Sequence, residues 1–249
     1  LRMIDPKNDV DWTSSMQRWS RTRSSELAGE GLHGFVLKKD SPTCGVFRVR
    51  IHTDKGVERN GQGLFATALI QRMPHLPVEE EGRLNDARIR ENFVERIFAY
   101  RRLKGLFRPR WTLGDVVVFH TREKLLLRAH DERGYRELGR LVADAKNIPR
   151  AAFADDYADR FMEIMKRPAT VAKHVNVLQH RLAFLRWADD DVGRVEMHDA
   201  IGDYRAGLVP LVVPITLVQH LARRHDQQLL LESSYLAPHP KELMLRNHV

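Results

Sequence analysis

Cysteine is almost missing from this chain. Cys44, in the segment LKKDSPTCG (37–45), is the one thiol among 249 residues. That count excludes an internal disulfide framework and makes a reducing compartment, the cytoplasm, the expected setting. Long hydrophobic runs are missing as well. The longest, LVPLVVPITLV (208–218), is too short to span a bilayer and is interrupted by Pro210 and Pro214, so no membrane association is expected. The opening LRMIDPKNDVDW lacks the apolar core of a signal peptide. No CxxC or HExxH occurs, which leaves zinc chemistry without a motif. Internal repeats and low-complexity segments are absent too.

Positive charge is what the chain has in excess. The formal net charge is +8, and arginine supplies most of the cations. Arginine suits bidentate phosphate contacts, so a polyanion such as RNA or DNA is a plausible partner, against the plainer reading of a solvated basic surface. Hydrophobic and charged contents of 43% and 30% are those of a globular protein. The length suffices for one large domain or two ordinary ones.

Apolar spacing organises the chain into two parts. Trp12, Met16, Trp19 and Leu27 recur near helical spacing over 12–29. Phe35–Leu37 reads as a short buried strand, and CGVFRVRIHT alternates as a second strand ending in a DKG turn (54–56). The following KGVERN reads as polar turn. Gly63 opens a helix closed by Pro74, and a long amphipathic helix follows with Asn85 or Asp86 as its cap. Beyond FRPRWT (107–112) the pattern is helical, with segments starting near Thr112, Tyr135, Arg150, Pro168, Asp189 and Val209, and breaks at Gly134, Pro149, Pro168 and Gly207. The expectation is an α/β domain over 1–107 followed by an all-α helical bundle over 108–249. Both parts are basic, at +5 and +3.

Several groups are candidates for chemistry. Pro42 and Gly45 make SPTCG a stiff turn after a strand, and Lys38 and Lys39 stand close in sequence. Cys44 is open to three readings: an inert buried thiol, a nucleophile, or a ligand of a metal or iron–sulfur site. GQGLFA (61–66) matches G-x-G-x-x-A with Glu79–Glu81 at nearly the distance of a ribose-binding acid, but no strand is evident before it. Its glycines therefore read as shaping the entry to a helix whose N-terminus can take a phosphate. LPVEEEGRLND clusters carboxylates that serve either as a general acid or base, or as a solvated acidic loop. Nine of the twelve histidines lie beyond residue 108. FHTREKLLLRAH and RPATVAKHVNVLQH interleave basic and apolar residues, with His120 and Lys124, and Arg167 and Val171, four apart on one face. Arg122, Lys124, Arg128, Arg167, Lys173 and His174 are the expected RNA contacts.

Longer runs carry a resemblance. FVLKKDSPTCG, RNGQGLFATAL, LPVEEEGRLND and RENFVERIFAYRR resemble the later two-thirds of the TudS-like thiouracil desulfidase domain. FHTREKLLLRAH, YRELGRLVA, RPATVAKHVNVLQH, YRAGLVPLVVPITLVQHL and YLAPHPKELMLRN resemble the YbgA-like domain. The resemblance implies a partial, Rossmann-like first domain and an iron–sulfur enzyme whose 4Fe–4S cluster is held by three cysteines. Cys44 stands at the position of the last of these, and Ser41 matches an active-site serine. It implies 4-thiouridine in tRNA as substrate, uridine as product, and RNA binding by the helices, against two alternatives: a desulfidase of free thiopyrimidines, or a non-catalytic RNA- or protein-binding module. The family's other two cysteines have no counterpart here, so a fragment, inactive as a desulfidase, is expected. A partial α/β domain also exposes an edge that invites pairing between copies, making a homo-oligomer an expectation.

Overall fold

In a computed structural model, residues 1–182 and 191–249 are described. The chain divides into two compact units, Leu1–Phe93 and Val94–Val249.

The first unit opens with a two-stranded ribbon, β1 (Ile4–Asp5) and β2 (Val10–Asp11), and helix α1 (Thr13–Gly29). Of the residues expected on one face of α1, Leu27 is buried but the two tryptophans are not. Ser20, Ser24 and Leu27 are inside, whereas Trp12 and Trp19 are half exposed. Small residues let α1 approach closely, and the Ser24 hydroxyl is satisfied by the Ser20 carbonyl at 2.6 Å. Strand β3 (Phe35–Leu37) falls where expected, and β4 (Val49–Thr53) occupies the end of the alternating run. KGVERN is not a loop: Gly56–Gly61 forms β5, paired antiparallel with β4. Its side chains before Gly61 are exposed, so it carries no apolar alternation to reveal it.

Helix α2 (Leu64–Arg72) is followed by β6 (Val78–Glu80), which pairs in parallel with β3. Phe65, Ala66 and Leu69 from α2 enter the core with Leu27, Leu37, Val46, Val49 and Leu76. Among the described residues the sheets are three two-stranded pairs. The unit is thus α/β, with β3 and β6 as its parallel pair.

Helix α3 (Ala87–Leu106) crosses the division between the units. Asp86 caps it, its Oδ1 accepting from the amides of Arg88 and Ile89 at 2.9 and 3.0 Å. The second unit is helical. It continues with α4 (Leu113–His130), α5 (Glu132–Ala143), α6 (Arg150–Lys166), α7 (Val171–Leu182), α8 (Asp191–Ala206), α9 (Val212–Arg224) and the short α10 (Gln228–Leu231). The start expected at Asp189 lies outside the described residues. Gly134 sits inside α5, not at a break. A Cβ there would meet Ile164 Cγ1 and Asp131 Oδ2, both at 2.7 Å, so the glycine permits close packing on α6. Gly207, at φ +76°, does end α8.

The core of this unit runs through Leu125–Leu127, Leu138, Phe153, Tyr157, Phe161, Met165, Leu178, Met197 and Val218. Ala99 and Leu103 belong to it, which is why the end of α3 clusters with the helices. No helix among the described residues is long and apolar enough to cross a membrane.

A capping box starts α4. Thr112 Oγ1 accepts from the Asp115 amide at 3.1 Å, and Asp115 Oδ2 accepts from the Thr112 amide at 2.7 Å. Thr112→Ala is expected to cost about 1 kcal/mol and to lower the melting temperature of the helical unit by about 3 °C. Calorimetry on the two proteins checks this, and identical melts would mean the box adds nothing.

Candidate functional site

Ser41–Gly45 is a hydrogen-bonded turn between β3 and β4. The Gly45 amide donates to the Ser41 carbonyl at 2.8 Å, and the amides of Thr43 and Cys44 donate to Ser41 Oγ at 3.3 and 3.1 Å. Ser41 thus shapes the turn, and its hydroxyl also meets Thr43 Oγ1 at 2.9 Å. Asp40 and Arg48 flank it in the left-handed region, at φ +56° each. Cys44 is half-buried, and its Sγ lies 3.4 Å from Thr43 Oγ1.

Helix α2 is built onto this turn. The Leu64 amide donates to the Pro42 carbonyl at 3.1 Å, and those of Phe65 and Ala66 donate to the Thr43 carbonyl at 2.9 and 3.1 Å. These are the amides that a helix N-terminus normally leaves unpaired. The expected phosphate seat there is therefore already filled by backbone carbonyls. The glycines of GQGLFA have a different use. A Cβ on Gly63 would collide with the Thr43 carbonyl and come within 2.7 Å of the Cys44 nitrogen. A Cβ on Gly61 would meet Ile51 Cγ1 and the Val49 carbonyl oxygen at 2.8 Å. The motif makes room for the cysteine turn, and the strand before it is a hairpin partner, not the parallel strand of a dinucleotide site.

The acidic cluster is not a solvated loop either. Glu79 and Glu80 are buried at the end of β6. Glu80 Oε1 accepts from the amides of Val46 and Phe47 at 2.8 and 3.0 Å, clamping the segment after Cys44. Glu79 Oε1 pairs with Arg83 Nε at 2.7 Å, and Glu81 Oε2 accepts from the Lys39 amide at 2.8 Å. Thr43 is the residue that sequence reasoning missed; Gly63 and Glu80 are singled out there, but not for holding the cysteine turn. Acidic residues directly after an apolar strand were the available signal.

These residues fit one thiolate arm of a cluster and no more. Cys44 is presented on a rigid turn, but a three-cysteine site needs two further thiolates that residues 1–249 do not contain.

In the helical unit the structure separates the expected RNA contacts. His174 lies inside, 4% exposed, with Nδ1 at 3.1 Å from the Tyr235 hydroxyl. No nucleic-acid backbone reaches it there. Arg128 is largely covered and pairs with Glu132 at 2.6 Å. Arg167 is exposed but holds Asp131 at 2.6 Å; it caps the end of α6, so it does not share a helix face with Val171. Arg122 pairs with Glu232 at 3.0 Å. Lys173 Nζ donates to the His130 and Pro168 carbonyls at 2.5 and 3.4 Å. Lys124 is half-buried on α4, one turn from His120. Most of these cations are occupied in holding helices together.

What gathers instead is a buried polar centre. His130 Nε2 donates to Glu95 Oε2 at 3.2 Å, and its Nδ1 donates to the Arg167 carbonyl at 2.6 Å. Arg246 donates to Glu95 Oε1 at 3.0 Å and to the Tyr235 carbonyl at 2.6 Å. Burial pushes the Glu95 carboxyl up, but the His130 hydrogen bond and the Arg246 charge outweigh it and hold the group well below the usual carboxylate range. Burial and the Arg246 charge lower His174 to about 3; burial and Lys124 lower His120 to about 4.

Comparison with known proteins divides the chain in the same sense. Residues 1–81 match the family model described as 2-thiouracil desulfurase. Residues 124–240 match a family described as a protein of unknown function, DUF1722. Over 165 residues the chain is 29% identical to the uncharacterized protein YbgA of Escherichia coli (strain K12), covering 66% of this chain and 98% of that protein. No solved structure gives a significant match. A part similar to 2-thiouracil desulfurases and a part similar to YbgA are thus joined in one chain.

Two predictions follow from this geometry. Gly63→Ala forces the Cys44 turn to shift, and is expected to cost roughly 2 kcal/mol and to change the alkylation rate of Cys44. Unchanged melting and alkylation would separate α2 from the turn. The second concerns acid. The unfolded chain takes up protons at His120 and His174 near pH 6.5, whereas the folded chain does so only near 4 and 3. Stability therefore falls as pH drops below 6.5, by about 1.4 kcal/mol per pH unit for each histidine. Urea titrations across this range should show a shallower slope for His174→Gln; equal slopes would remove His174 from the account.

Proposed function

We propose that this chain carries the Cys44 arm of an iron–sulfur desulfidase acting on 4-thiouridine in tRNA, with the helical unit binding the RNA. The observation that carries the reading is the thiol itself: half-buried, at the carboxyl end of β3, on a turn fixed by Ser41, Glu80 and the start of α2. The match of this segment to 2-thiouracil desulfurases supports a thiocarbonyl substrate. Overall, a C=S bond and water are exchanged for a C=O bond and hydrogen sulfide, with no net oxidation. A cluster with an open iron would supply a soft acceptor for the departing sulfur. Cys44 is one ligand, and Ser41 positions it by holding the turn's amides. The Rossmann-like character of the first unit, a cytoplasmic setting and self-association belong to the same proposal. Residues 1–249 alone are inactive on this view, because two thiolates are lacking.

The single thiol also favours a second reading, in which the chain is a non-catalytic module that binds RNA or a protein partner, with the α/β unit its scaffold.

Anaerobic reconstitution with iron and sulfide separates the two. The product of the whole reading frame should bind about four irons per chain, convert 4-thiouridine in tRNA, and lose both properties on Cys44→Ala. Residues 1–249 alone should do neither. Turnover that survives Cys44→Ala overturns the ligand assignment. Iron-free protein that still binds tRNA selects the binding module.

A further inference from the structure

The arginines that remain uncommitted in the helical unit are elsewhere than the six expected contacts. A cleft of about 500 Å³ lies between the second half of α3 and residues 237–240, lined by Phe98, Arg101, Arg102, Arg108, Pro238 and His239 among others. That volume suits a mononucleotide. Arg102 is fully employed in its wall: Nε and Nη2 hold Glu123 at 2.6 and 3.0 Å, and Nη1 donates to the Pro238 carbonyl at 2.9 Å. His239 is 9% exposed, and its Nδ1 donates to the Pro240 carbonyl at 3.1 Å, which stiffens the opposite wall between two prolines. Arg101 and Arg108 are different. Both are exposed, and neither makes an ion pair among the described residues. Phe98, half-buried, gives the same cleft an aromatic surface.

Two free guanidinium groups beside an aromatic ring, on a rigid frame, match one ligand chemistry: a phosphate attached to a flat base. We infer that this cleft binds one unpaired nucleotide of an RNA strand, its phosphate held by Arg101 and Arg108 and its base laid on Phe98. The choice of RNA rests on the function proposed above; the cleft's fitness for a nucleotide does not. A plainer use of Arg101 is to complement the dipole at the end of α3. That use predicts an effect on stability without one on binding.

The test uses the full chain, a labelled short oligouridylate, and uridine monophosphate as a separate ligand, each over a series of salt concentrations. Arg101→Gln with Arg108→Gln should weaken oligouridylate binding about tenfold and reduce the salt slope by about 1. Phe98→Leu should weaken it about tenfold while leaving the slope unchanged, since stacking releases no counterions. The arginine pair is at the surface, so those variants report even if Phe98→Leu fails to fold. Oligouridylate binding that none of the variants alters overturns the cleft and leaves RNA binding by the helical unit standing. Binding of the monophosphate alone, sensitive to the same substitutions, supports the cleft and overturns the RNA reading. Binding of neither ligand overturns both.

Discussion

Glu95 is an ionised carboxylate that is 2% exposed, and the order of the helical unit follows from what it must be given. A charge taken out of water costs several kcal/mol unless opposite charge and hydrogen bonds surround it. Here α3 supplies the carboxylate, α4 supplies His130, and the last turn of the described chain supplies Arg246. Each donor is itself fixed by a carbonyl, His130 by Arg167 and Arg246 by Tyr235. Tyr235 in turn meets His174 on α7. One demand for solvation thereby sets the mutual placement of α3, α4, α7 and the 235–246 segment. Loss of one partner strands the other, at about 3–5 kcal/mol, whereas a well-packed apolar replacement of the whole set is tolerated far better. The arrangement specifies one packing of these helices more than it strengthens it.

The first unit follows a different economy. It has little sheet to rely on, and its cysteine turn is gripped through its main chain: its carbonyls accept from the amides of α2, while amides in and after it donate to the Ser41 hydroxyl and the Glu80 carboxylate. Glycine is needed at 63 because backbone approaches backbone there. Around the thiol two side chains, Ser41 and Glu80, hold the main chain, and one position, Gly63, must have none.

Legibility in the sequence divided along the same line. β3, α2, α6 and the end of α8 were visible because each carries a local signal: an apolar run, a helix-opening glycine, a proline, a closing glycine. β5 was invisible because its ladder is pure backbone and its residues are polar. On α1 the large aromatics suggested the wrong face, since closeness to a neighbour there is set by Ser20 and Ser24. His174 and Arg128 read as surface cations because their partners are distant in sequence or lie beyond a helix end. The pairing of Arg102 with Glu123, 21 residues away, and with Pro238, 136 away, left no trace that periodicity can detect. The position of Cys44 was legible; what holds it was not.

The pair Glu95 and Arg246 spans 151 residues. Synthesis proceeds from the amino end, so α3 and α4 emerge long before the guanidinium that completes their polar centre exists. Until Arg246 is made, the nascent helices must either leave Glu95 in water or bury it short of a partner. The helical unit therefore cannot reach its final packing progressively during translation. It closes in a late, long-range step, which topology makes slow, and before that step its apolar faces are open to chaperones and to other nascent copies.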